Sequence, residues 1–211
     1  MARLALFICF TLGAAFGPRT LRAAPRRGAA TGRVARTAAT MKVGLYYSTM
    51  SGNTERIAGY IADASGVAAS PVAEASSADL EACDGLIVGA PTWNTGADDM
   101  RSGTDMDDWL YSTLPDADLT GKKVALFGCG DQAGYSGNFC DAVGELYDCF
   151  SERGATVVGF TSQDGYEHYD SKAVRDDQFV GFLCDEQNQM DMSEARAGDW
   201  VGQLKAEGFP F

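Results

Sequence analysis

The chain has 211 residues, 45% of them apolar and 22% charged, an ordinary globular composition long enough for one domain with a substantial core. Its charge is divided: residues 1–40 hold seven arginines (Arg3, Arg19, Arg22, Arg26, Arg27, Arg33, Arg36) and no acid, so from Met41 onward 10 basic residues face 29 acidic ones, a charge of −19. So acidic a body is not expected to bind nucleic acid. The five cysteines beyond Cys9 (Cys83, Cys129, Cys140, Cys149, Cys184) are odd in number and form no C-x-x-C pair, which excludes a disulfide framework or a zinc site.

In chain order the first feature is an address. Leu4–Phe16 is an apolar run of signal-peptide length, shorter than the ~20 residues of a spanning helix. Gly17–Thr40 follows, rich in Arg, Ala and Thr and free of acid, the composition of an organelle transit peptide. Together the two resemble the bipartite leaders of algae with complex plastids, and Ala14–Pro18 (AAFGP) resembles their phenylalanine cleavage motif. The expectation is a cleavable plastid-targeting leader over 1–40 and a folded domain over 41–211 in the stroma. A plain secretory signal, or an N-terminal anchor with a basic linker, is the alternative.

From Met41 short apolar runs alternate with amphipathic stretches. Lys42–Tyr47 predicts a buried strand, Thr54–Ser65 a helix, and Val67–Pro71 a weak second strand. Gly85–Ala90 and Lys123–Gly128 are strong third and fourth strands, Asn138–Arg153 a helix, Thr156–Phe160 a fifth strand and Ser193–Glu207 a closing helix. Continuous apolar strands between helices imply a single α/β domain: a parallel sheet covered on both faces, with ligands bound beyond the carboxyl ends of its strands.

Three loops at those ends carry the chemistry. Ser48–Thr54 (STMSGNT) joins strand 1 to helix 1 and offers hydroxyls and free backbone amides at a helix start, an anion site for a phosphate monoester. It lacks the lysine of a nucleoside-triphosphate loop and the G-x-G-x-x-G of a dinucleotide fold; an ordinary capped helix start reads the same way. After strand 3, Pro91–Gly96 (PTWNTG) holds a tryptophan that a flat aromatic ligand would cover, unless it folds into the core. After strand 4, Gly128–Tyr135 (GCGDQAGY) combines glycines that permit close approach with a tyrosine able to stack opposite Trp93. Taken together the loops describe a pocket for a phosphorylated flat heterocycle. His168 is the only histidine and is expected at the surface; no Ser-His-Asp set or metal cluster forms around it, which counts against a hydrolase.

S-T-x-S-G-N-T, P-T-W-N-x-G and G-x-G-D-x-x-G-Y-x-x-N-F, in this order at these strand ends, resemble the three FMN-binding segments of flavodoxins. The similarity runs through the whole chain from Met41. It includes Thr161–Asp191, which resembles the strand-5 insertion of the long-chain, algal plastid type, most closely in Ser171–Arg175 and Phe179–Asn188. The resemblance implies a five-stranded sheet of order 2-1-3-4-5. It implies that Ser48, Thr49, Met50, Ser51, Gly52, Asn53 and Thr54 wrap the FMN phosphate, and that Trp93 and Tyr135 sandwich the ring. Thr92, Asn94, Thr95 and Gly96 would line its dimethylbenzene and N5 side. Cys129, Gly130, Asp131, Asn138 and Cys140 would meet the pyrimidine edge, and Asp185 would lie near the ribityl chain. Cys129 and Cys140 depart from the polar residues usual there, and Thr95–Asp107 is longer than in many relatives.

The function so implied is that of a low-potential one-electron carrier, not an enzyme. It would pass electrons from photosystem I to ferredoxin–NADP reductase as a monomer, with no stable membrane insertion of the mature part. Asp98, Asp99, Asp105, Asp107, Asp108 and Asp131 would steer it to basic partner surfaces. A flavodoxin-like NAD(P)H:quinone reductase is the alternative; a phosphoacceptor receiver would need paired acids that Ser48–Thr54 lacks.

Overall fold

The structure, a computed structural model, describes residues 41–211; the expected leader over 1–40 lies outside them. Strands β1 (Val43–Tyr47), β2 (Ala69–Pro71), β3 (Gly85–Pro91), β4 (Lys123–Cys129) and β5 (Thr156–Val158) form a parallel sheet of order β2-β1-β3-β4-β5. Helices α1 (Asn53–Ser65), α2 (Ser77–Glu81), α3 (Asp105–Ser112), α4 (Asp141–Glu152) and α5 (Met190–Ala206) supply the covering layers.

Side chains on a strand alternate between faces, and here both faces are buried. Leu86 and Val88 of β3 and Val124 and Leu126 of β4 pack with Leu110, Leu146 and Phe150 from α3 and α4. Ile87, Ala125 and Phe127 point the other way, into a second cluster with Ile57 and Ile61 of α1 and Trp200 and Leu204 of α5. The buried set Thr54, Ile57, Ala58 and Ile61 is the i, i+3, i+4, i+7 stripe that lays α1 on the sheet.

The fifth strand is interrupted. Thr156–Val158 pairs with Lys123–Ala125, and the same edge of β4 is continued by β9 (Phe182–Cys184), which pairs with Phe127–Cys129. Between them β6 (Thr161–Ser162), β7 (Val174–Arg175) and β8 (Gln178–Phe179) make a small antiparallel sheet of order β6-β8-β7. The insertion is therefore shorter than the expected 161–191: the chain rejoins the main sheet at Phe182, and α5 begins at Met190 rather than Ser193. Tyr166 and Phe179 of the insertion pack with Phe139 in tilted and edge-on pairs, with ring centroids 5.3–6.0 Å apart. None of the helices among the described residues is long and apolar enough to cross a membrane.

Candidate functional site

Strands β1, β3 and β4 end at one edge, with Tyr47 beside Gly89 and Pro91 beside Cys129. The three loops that leave them enclose an open cleft with about 150 Å³ of space accessible to water. Ser51 and Asn53 line it from the first loop, Thr92, Trp93 and Thr95 from the second, and Cys129, Gly130, Asp131, Tyr135 and Asn138 from the third. No lysine or arginine is among the lining residues.

The first loop is shaped by Gly52, the N-cap of α1, whose φ of 86° is the left-handed region that favours glycine. Its N–H donates to Thr49 Oγ1 at 3.0 Å, and no side chain caps the helix, so the first-turn amides of α1 keep their donors. Thr54 is fully buried, and its Oγ1 has no hydrogen-bond partner among the described residues. Ser48 serves the loop instead: its N–H donates to the Gly89 carbonyl, and its Oγ accepts the Thr104 hydroxyl at 2.7 Å. With Thr49 and Met50 it borders a neighbouring hollow walled by Tyr47, Pro71 and Thr104.

Trp93 is 48% exposed and Tyr135 56%, so neither ring folds back into the core. The backbone N–H groups of Trp93 and Asn94 both donate to the Arg101 carbonyl, and the Asn94 amide side chain turns away to the Met100 carbonyl. Ala97 N–H closes a turn on the Asn94 carbonyl, with Gly96 at φ 79°.

In the third loop Gly130 N–H donates to the Cys184 carbonyl at 3.0 Å. A Cβ there would lie 2.8 Å from Cys140 N, so only glycine fits. Asp131 Oδ1 accepts from the N–H groups of Ala133 and Gly134 and from Asn188, and the Gly134 bond above all holds its carboxyl below the usual range. Asn138 Nδ2 donates to Asp141 Oδ2, and Thr92 Oγ1 accepts Ala142 N–H.

Two of the expected contacts, Cys140 and Asp185, are buried and are not among the residues that line the cleft. Cys140 is fully buried and, at φ 55°, is the N-cap of α4. Asp185 is fully buried too, with its oxygens taken by Gln132 N–H, Gln187 N–H, Asn188 N–H and Asn188 Nδ2. Gln187, in the turn that Asp185 organises, lines the cleft in its place, with Pro91. A polar turn just past the carboxyl end of a buried strand was the signal for Gln187. Burial pushes the Cys129 thiol up to about 12 and those of Cys140 and Cys184 well above their ordinary value, so all three act as protonated core groups.

Asp107 is likewise no surface charge: it is buried and accepts Ser102 N–H at 3.0 Å and Gly103 N–H at 2.8 Å. Asp98, Asp99, Asp105 and Asp108 are exposed. His168 is half-buried against the rings of Phe139 and Phe179, 5.4 and 5.2 Å away, instead of at the surface.

The flavodoxin family profile matches residues 45–200. The chain belongs to the flavodoxin family. It is 47% identical over 171 residues to a flavodoxin of Nostoc sp., covering 79% of this chain and 96% of that one. With Flavodoxin 1 of Escherichia coli it shares 42% over 168 residues, 78% and 93% of the two chains. Among solved structures, a Fusobacterium nucleatum flavodoxin bound to flavin mononucleotide superposes with a TM-score of 0.71 at 31% identity, covering 79% of this chain and 99% of that one. Flavodoxins are electron-transfer proteins, which sets the quinone reductase reading aside.

The residues present fit such a nucleotide. An orphaned buried hydroxyl (Thr54) and an uncapped helix start suit a phosphate, while two half-exposed aromatics beside glycine-narrowed backbone suit a planar ring.

Proposed function

We propose that this flavodoxin carries single electrons on FMN held between Trp93 and Tyr135, from photosystem I to ferredoxin–NADP reductase in the plastid stroma. Family membership supports the coarser statement, an FMN-binding electron carrier and not an enzyme. One observation carries the reading of the site: two half-exposed aromatic rings flank a cleft that ends on an uncapped helix start.

FMN, when bound, supplies the one-electron chemistry. The chain supplies binding and electrostatics. The first-turn amides of α1 and the hydroxyls of Ser51 and Thr54 take the phosphate without a cation. Trp93 and Tyr135 cover the ring faces and exclude water. With no basic residue lining the cleft and −19 on residues 41–211, added negative charge goes uncompensated, which lowers the potential and makes the reduced protein a strong donor. Exposed Asp98, Asp99, Asp105 and Asp108 steer the monomer toward basic partner surfaces. The arginine-rich, acid-free 1–40 segment supports delivery to a plastid, followed by removal.

The test starts with protein made from Met41. A yellow FMN spectrum that passes through a long-wavelength one-electron form on anaerobic photoreduction supports the carrier; a colourless protein that takes up no added FMN overturns it. Reduction by photosystem I particles should then slow as salt rises, and a salt-independent rate removes the steering role. Residues 1–40 fused to a fluorescent protein should reach the stroma of an algal complex plastid; retention in the secretory pathway rejects the plastid assignment.

A further inference from the structure

Glu145 is a carboxylate on α4, 4% exposed, that faces the loop carrying Trp93. Its Oε1 accepts Met100 N–H at 2.7 Å and the Tyr111 hydroxyl at 2.5 Å, and its Oε2 accepts Arg101 N–H at 2.9 Å. Those two amides belong to consecutive residues whose carbonyls face the other way. The Arg101 carbonyl accepts Trp93 N–H at 3.2 Å and Asn94 N–H at 3.1 Å; the Met100 carbonyl accepts Asn94 Nδ2 at 2.6 Å. One stretch of backbone is gripped by Glu145 on one side and holds Trp93 and Asn94 on the other.

We propose that Glu145 is a positioning residue for the flavin, setting the Trp93–Ala97 loop through the Met100–Arg101 backbone without touching the ligand. The proposal rests on the reading of Trp93 as a stacking partner. Met100 is a non-glycine residue at φ 52°, a conformation its side chain disfavours and that persists only where neighbours enforce it. The Glu145 carboxylate is that neighbour. Ionised, it is an acceptor at both oxygens, which matches three donors converging on it, and hydrogen bonds to a charged acceptor are the stronger kind. Bonds in series polarise one another, so a firm grip at Met100 and Arg101 strengthens the Arg101 carbonyl as an acceptor for Trp93 and Asn94. The turn that Ala97 N–H closes on the Asn94 carbonyl starts from this fixed point. The extra length of 95–107 is then a strap, tied at its far side to α4.

Glutamine keeps the size but presents an N–H₂ where an acceptor is required, so Glu145→Gln leaves one of the three converging donors without its acceptor. Amide hydrogen exchange of the FMN-free protein reads the strap directly. Exchange at Trp93, Asn94, Met100 and Arg101 should rise about tenfold, with amides of β1 and β3 unchanged. FMN affinity should fall about tenfold, and the maximal fraction of one-electron-reduced protein in a redox titration should drop, because the loop no longer holds one geometry against the ring. Faster exchange with unchanged affinity and redox titration would mean that the strap exists but Trp93 does not stack on the flavin. Unchanged exchange at Trp93 and Asn94 would overturn the relay itself. If Glu145→Gln fails to fold, Tyr111→Phe removes only the third donor from a half-exposed position. It should give the same pattern at smaller amplitude, and no change at the four amides would reject the proposal.

Discussion

Asp185 Oδ2 accepts Gln132 N–H at 3.1 Å, joining the loop after β4 to the loop after β9. The same carboxylate, itself fully buried, accepts from three more donors, Gln187 N–H, Asn188 N–H and Asn188 Nδ2, which lie nearer the surface. Replacing it by alanine leaves these donors unpaired at a cost of ~1–3 kcal/mol for each that water cannot reach. Asp185→Ala leaves the Gln132 N–H as the one buried donor among them without its acceptor, and should therefore lower the stability of the FMN-free protein by about 1–3 kcal/mol, read as a shift of the urea midpoint. A loss below about 1 kcal/mol would show that the two loops are not held through this residue.

Thr54 makes the opposite kind of prediction. Its hydroxyl is buried and has no hydrogen-bond partner within normal geometry among the described residues. Thr54→Val preserves the shape, so the FMN-free protein should be unchanged or up to about 1 kcal/mol more stable. FMN binding should weaken about tenfold, because the phosphate loses a donor. Calorimetry and urea unfolding of the two proteins should thus move in opposite directions. Equal losses in both would mean that Thr54 is only a structural residue of α1.

How far the sequence could be read depended on which force decided each element. The strands Gly85–Pro91 and Lys123–Cys129 were legible because burial on both faces demands continuous apolar runs. The Thr54–Ser65 helix was legible from its apolar stripe. Phe182–Cys184 was not, since three apolar residues inside an insertion become a strand only when the Phe127–Cys129 edge is there to receive them. Helix α3 was missed although Met106, Trp109 and Leu110 have helical spacing behind a Thr104 cap; glycine and aspartate just before it read as loop. In the site, Trp93 and Tyr135 stood out because a large aromatic at a strand end needs a cover. The burial of Cys140, Asp185 and Asp107 was not legible, because residue type does not say whether a polar group faces the cleft or holds the loop from within.

That distinction can be measured on the aromatics. Trp93 and Tyr135 are about half exposed, so truncating either should change the stability of the FMN-free protein by no more than ~0.5 kcal/mol. Stacking on a flat heterocycle is worth ~1–3 kcal/mol per ring. Trp93→Ala and Tyr135→Ala should each raise the FMN dissociation constant about tenfold or more by fluorescence titration. A variant that binds FMN as tightly as the parent would remove its ring from the site.

His168 should give the domain a pH dependence of its own. Burial against Phe139 and Phe179 lowers its pKa, and the nearby Asp170 opposes that shift only in part. In the unfolded chain the imidazole titrates near ~6.5. The unfolded state then binds more protons than the folded one in the window just below that value, so stability rises with pH there. The contribution of neutral His168 is fully present above about 6.5 and is lost as pH falls through the lower folded value. Urea midpoints of the FMN-free protein should decline as pH drops from about 7 to 5, and His168→Phe, which keeps the ring contacts, should flatten the slope. As the only histidine of the chain, its ring protons can be followed alone by NMR. A folded-state titration midpoint at or above the unfolded one would refute the burial argument, and with it the origin of the slope.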